Sequence, residues 1–68
     1  MDIFDERPEC NLIGQNGNIF NLVFIAAQTL RKHGFYDEAQ ELVHRIWNGE
    51  AKSYNHAIKI IEEYVDIV

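Results

Sequence analysis

The sequence predicts an all-α domain of three helices, over about 18–33, 36–48 and 53–67, behind an extended N-terminal segment. Three observations carry this. Apolar residues recur at three- and four-residue spacing in three separate stretches, and glycine or Asn-Gly stands between them. Asn18 and Ser53 also lie where a helix start needs a side-chain oxygen to accept an unpaired backbone N–H.

Residues 1–11 (MDIFDERPECN) hold four acids and the only proline. They read as an extended acidic leader in which Ile3 and Phe4 are the apolar anchors, and 12–68 reads as the helical domain. A short strand is expected over 10–14, ending in Gly14-Gln15-Asn16-Gly17-Asn18, residues that suit tight turns.

Asn18 then caps the first helix, Ile19 to about His33. Gly34 closes it, with Arg31, Lys32 and His33 in the last turn, where the helix dipole favours positive charge. Its apolar residues Ile19, Phe20, Leu22, Val23, Phe24, Ala26, Ala27 and Leu30 fill an arc of roughly 200°. That is wider than two neighbouring helices need, so Phe20, Phe24 and Ile25 are expected at a contact between copies of the chain.

The second helix begins at Tyr36, with Asp37, Glu38 and Glu41 in its first turns and a core stripe of Ala39, Leu42, Val43 and Ile46. Asn48-Gly49 ends it. Ser53 opens the third, whose stripe is Tyr54, Ala57, Ile58, Ile61, Tyr64, Val65 and Val68, with Asn55, Lys59, Glu62 and Glu63 facing away.

Composition bounds what such a domain can do. Its 68 residues make one domain, which buries only ~60% of the surface its unfolded chain exposes, so outside support is expected. Cys10 is the only cysteine, which excludes an internal disulfide and leaves too few ligands for a tetrahedral zinc site. A second copy of the chain is the remaining support. The net charge of −5, with only Arg31 and Lys32 adjacent among the six basic residues, argues against phosphate-backbone binding. No apolar run approaches the ~20 residues of a membrane span, and the acidic start is unlike a secretory signal. The reducing cytoplasm is the expected compartment.

Constellations with chemistry are sparse. His33, His44 and His56 belong to three different helical stretches, and Glu41 with His44 is a single pair without further ligands, so no metal or cofactor is expected. Cys10 precedes a strand and no helix start, which gives its thiol nothing to activate it. An enzyme using Cys10 or a histidine is therefore the least favoured reading. A glycine-bearing turn that opens onto a helix N-terminus presents free N–H groups to anions, yet the spacing here fits no phosphate-binding fingerprint. Asn16, Gly17 and Asn18, joined by Tyr54 and His56 from the third helix start, are the candidate ligand-binding residues.

The run Leu12-Ile13-Gly14-Gln15-Asn16-Gly17-Asn18-Ile19-Phe20 and the helix end Leu30-Arg31-Lys32-His33-Gly34 resemble an uncharacterised family of very small phage, prophage and bacterial proteins. Ser53-Tyr54-Asn55-His56-Ala57 and Glu63-Tyr64-Val65-Asp66-Ile67 are similar to the same family's C-terminal half. The resemblance spans about 12–67 and lends no catalytic or binding residues. It implies a setting: compact accessory proteins that inhibit or redirect host machinery, including host defence, which would place this chain in the host cytoplasm. The expected function is a small, non-catalytic, homo-oligomeric binding protein acting on a host protein by direct contact. The alternative is a protein that binds or sequesters a small anionic ligand such as a nucleotide signal.

Overall fold

Two closures of one kind set the path of the chain. After the first helix Gly34 adopts φ 84°. The Phe35 N–H then reaches the Leu30 carbonyl at 2.9 Å, and the Gly34 N–H reaches the Arg31 carbonyl at 3.0 Å. After the second helix Gly49 adopts φ 77°. There the Glu50 N–H donates to the Arg45 carbonyl and the Gly49 N–H to the Ile46 carbonyl, both at 3.1 Å. This double closure satisfies the last carbonyls of a helix and needs a residue in the left-handed region, which glycine enters without a Cβ clash. The elements so joined are α1 (Ile19–Lys32), α2 (Tyr36–Trp47) and α3 (Tyr54–Glu62). The computed structural model describes residues 6–68. Ile3 and Phe4, the expected anchors of the leader, lie outside the described residues.

The helix starts follow from local chemistry. Asn18 Oδ1 accepts the Phe20 N–H at 2.9 Å, and Ser53 Oγ accepts the His56 N–H at 3.1 Å. The second helix has no side-chain cap, and relies on Asp37 and Glu38 in its first turn to complement the dipole.

Two boundaries differ from the sequence reading. The strand lies at Glu9–Cys10 (β1), not over 10–14, and α3 stops at Glu62 instead of continuing to 67. Both differences have one cause. Asp66–Ile67 (β2) pairs in parallel with β1, with Glu9 opposite Asp66 and Cys10 opposite Ile67. The Asp66 N–H donates to the Pro8 carbonyl at 2.8 Å and the Val68 N–H to the Cys10 carbonyl at 3.0 Å. Val65, Ile67 and Val68 are β-branched, which favours leaving the helix for an extended path. Residues 12–15 form a turn in place of strand, the Gln15 N–H returning to the Leu12 carbonyl at 3.2 Å. Arg7 supports the junction: its Nη1 donates to the Glu62 carbonyl at the end of α3 at 2.8 Å, and its Nη2 stands 3.9 Å from Asp66.

The core is continuous across all three helices and the strand pair. Leu30, Ala39, Leu42 and Ile61 are completely enclosed, and Val23, Ile60 and Val65 nearly so. Tyr64 and Val65 reach the core as the third stripe predicts, although they sit in a turn beyond α3; Val68 and Tyr54 are exposed. Cys10 and Leu12 are buried with the helices, so the end of the N-terminal segment is part of this body. The wide apolar arc of α1 is divided among α2, α3 and β1, which all contact it. No helix is long and apolar enough to cross a membrane among the described residues.

Candidate functional site: an aromatic groove between α1 and α2

Because α1 and α2 run antiparallel, the start of α1 lies beside the end of α2. Phe20 and Trp47 meet there edge to face, with ring centroids 4.8 Å apart and planes at 68°. At the opposite end the last turn of α1 brings Arg31 to Tyr36, the first residue of α2. Between them run two adjoining hollows. One of about 450 Å³ is lined by Arg31, Tyr36, Gln40, Val43, His44 and Trp47. The other, about 150 Å³, is lined by Phe20, Val23, Phe24, Ala27, Arg31, Val43 and Trp47. They share Arg31, Val43 and Trp47 and so form one groove.

The groove is lined largely by apolar and aromatic side chains, and its rings stand well out of the core. Phe20, Phe24, Tyr36 and Trp47 are 53% to 66% exposed. At ~150–250 Å² per aromatic side chain, they leave on the order of 500 Å² of ring surface in water. Patches of ~300–600 Å² on small proteins are frequently functional. The polar lining is made of donors and amphoteric groups, with no carboxylate among them. The Arg31 side chain is exposed and its guanidinium makes no hydrogen bond or ion pair with a described residue, which leaves its N–H donors available.

Of the expected contact residues, Phe20 and Phe24 line this groove, whereas Ile25 does not join them. It lies ~100° round α1 from Phe24, half-buried against the core. On that flank the Thr29 hydroxyl donates to the Ile25 carbonyl at 3.0 Å and sits 3.4 Å from the Cys10 sulfur. The groove residues of α2 were missed in sequence, although Tyr36, Gln40, Val43 and Trp47 recur at four-, three- and four-residue spacing. That is a second stripe beside the core stripe Ala39, Leu42 and Ile46.

The turn into α1 is held by its own polar groups. Asn16 Oδ1 accepts the Asn18 N–H at 2.9 Å, and the Asn21 side-chain amide donates to the Asn16 carbonyl at 3.0 Å. The Tyr54 hydroxyl donates to the Gly17 carbonyl at 2.6 Å. Tyr54 is thus brought to the turn, where it ties α3 to the start of α1, and the Asn16 and Asn18 side-chain oxygens are engaged in shaping it. His56 is not brought there: its Nδ1 accepts the Lys52 N–H at 2.9 Å. An open hollow of about 320 Å³ beside Tyr54 is lined by Ile19, Phe20, Ser53 and Ala57 and by neither Asn16 nor Asn18.

Among the described residues, the densest charge cluster surrounds Arg45. Its guanidinium forks onto both carboxylate oxygens of Glu50, donates to Glu63 at 2.7 Å and to the Tyr64 hydroxyl at 3.0 Å. Tyr64 in turn donates to Glu41 at 2.8 Å. Arg45 and Glu50 are the two residues joined by the backbone closure at Gly49, where an apolar pair more often stands. The hydrogen bond from Arg45 holds the Glu50 carboxyl below its ordinary range, and the same bond raises Arg45 still further above neutrality. Burial pushes the Tyr64 phenol up to about 12, opposed by the Arg45 hydrogen bond and helped by Glu41. Every group here is matched, so this cluster ties α2 to the end of α3 and leaves no partner position open.

Comparison with protein-family models, with curated proteins and with solved structures finds no match to this chain.

Proposed function

We propose that this chain is a non-catalytic binding protein that acts by direct contact with another protein, through the groove between α1 and α2. The observation that carries the reading is the exposure of Phe20, Phe24, Tyr36 and Trp47 along one groove beside Arg31, whose side chain has no partner among the described residues. Aromatic residues and arginine dominate the energetic centres of protein interfaces. None of these four rings belongs to the buried core of the described residues. The setting implied by the resemblance makes the partner a host protein, which contact at this face would inhibit or redirect.

Matched affinity capture tests this. The parent and two variants, Phe24→Asp in the groove and Lys59→Asp on the solvated side of α3, are presented to lysate of cells that carry the gene. A protein retained by the parent and by Lys59→Asp but lost with Phe24→Asp supports the reading. The same proteins retained by all three forms would place the contact elsewhere. A small-ligand reading predicts instead a thermal shift with nucleotides, ~2.7 kcal/mol at one hundred times the dissociation constant.

A further inference from the structure

We propose that the occupant of the groove is a single amphipathic helix of the partner, about three turns long, with a carboxylate set against Arg31. This rests on the groove being the contact surface, and adds what the contact recognises.

The first argument is shape. From Phe20 to Arg31 the groove follows α1 for roughly 16 Å, at 1.5 Å per residue. That accommodates apolar anchors at i, i+3 or i+4, and i+7 of one docked helix. Both walls are helices, whose backbone groups are paired internally, so the groove offers no edge for an extended strand. The described strands, β1 and β2, are two residues each. Recognition must come from side chains meeting side chains, as it does when a helix packs into the furrow between two others.

The second argument is charge. Eleven acidic and six basic residues give the chain an acidic balance, yet the groove lining holds Arg31 and His44 and no carboxylate. The Arg31 guanidinium has no partner among the described residues, and a carboxylate is the group its planar fork fits in two hydrogen bonds. The aromatic end at Phe20 and Trp47 and the cationic end at Arg31 also give the groove a direction. A second copy of this chain suits it less well. A two-fold contact through this face sets one groove lining against the same lining of the other copy, which supplies no carboxylate to either Arg31.

A display library of random 16-residue peptides panned against the full-length protein tests this, followed by fluorescence anisotropy of synthesised winners. The expected winners carry apolar residues at helical spacing and at least one Glu or Asp. Their affinity falls at least about tenfold with Phe24→Asp and with Arg31→Glu, and a Glu-to-Lys exchange in the peptide restores binding to Arg31→Glu. Circular dichroism melts confirm that both variants fold. Winners that need Phe24 but lack helical spacing, or ignore Arg31→Glu, overturn the helix while leaving the groove as the contact surface. Winners indifferent to Phe24→Asp overturn both. No enriched peptide overturns the helix, and a parent dimer in sedimentation that Phe24→Asp dissociates would assign the groove to a second copy.

Discussion

Phe20 and Trp47 touch edge to face across the open end of the α1–α2 pair, although more than half of each ring faces water. The contact joins the second residue of α1 to the last residue of α2 and closes one end of the groove. Edge-to-face pairs contribute ~0.5–1.5 kcal/mol beyond their burial. A double-mutant cycle of Phe20→Ala and Trp47→Ala, read by urea denaturation, is expected to give a coupling energy in that range. Additive single effects would mean that the rings do not constrain one another.

The core makes a sharper demand. Leu42, in the middle of α2, and Ile61, in the last turn of α3, are fully enclosed. Leu42→Ala and Ile61→Ala are each expected to cost ~2–5 kcal/mol, the usual cost of emptying such a site. A domain of this size has on the order of 5 kcal/mol in total, so either variant should melt far below the parent or be largely unfolded at room temperature. A parent-like melt from both would contradict the packing described.

What sequence revealed, and what it did not, divides along the range of the forces involved. The caps at Asn18 and Ser53 and the stops at Gly34 and Gly49 were legible because each is decided by a few adjacent residues. The pairing of β1 with β2 was not, because it joins residue 9 to residue 66 and nothing local marks it. That one long-range pairing moved the strand and shortened α3. It also supplied the third neighbour of α1, the helix on which Ile25 is half-buried against the core. Phe20 and Phe24 were legible as surplus apolar surface. Tyr36, Val43 and Trp47 were not, because a helix with two apolar stripes does not announce which one the core takes.

The turn into α1 separates structure from ligand binding. Asn18 Oδ1 accepts the Phe20 N–H, and aspartate and serine make the same bond. Asn18→Asp and Asn18→Ser should therefore be nearly neutral, and Asn18→Ala should cost ~0.5–2 kcal/mol in a thermal or urea melt. An Asn18→Ala variant as stable as the parent would show that the helix start is held by other bonds, such as that from Tyr54 to Gly17.

Alkaline pH should weaken the fold through Tyr64. The folded phenol titrates at about 12, while the unfolded one titrates near ~10. The folded state thus retains a proton that the unfolded chain has already lost. The stabilisation is complete below pH ~10 and is lost as the pH rises from there toward about 12. Melting temperature should fall over that window in the parent and fall less in Tyr64→Phe, which has no proton to lose. Equal slopes in the two proteins would show that Tyr64 titrates alike folded and unfolded.

Arg45 offers a test by salt. It binds Glu50, Glu63 and Tyr64 from a partly exposed position, where single ion pairs contribute ~0–1 kcal/mol and networks somewhat more. Arg45→Met is expected to cost ~1–2 kcal/mol at low ionic strength and less in 1 M NaCl, where screening acts within a few ångströms. A cost that does not change with salt would assign the loss to packing alone.

The central claim, that the α1–α2 groove is where this protein meets its partner, is tested most directly by site-specific photocrosslinking. Benzoylphenylalanine replaces Phe24 in the groove or Lys59 on the solvated side of α3, and the cells that carry the gene are irradiated. A discrete adduct heavier than the chain from position 24, and none from position 59, is the predicted result. No adduct from position 24, or the same adduct from both positions, would contradict it.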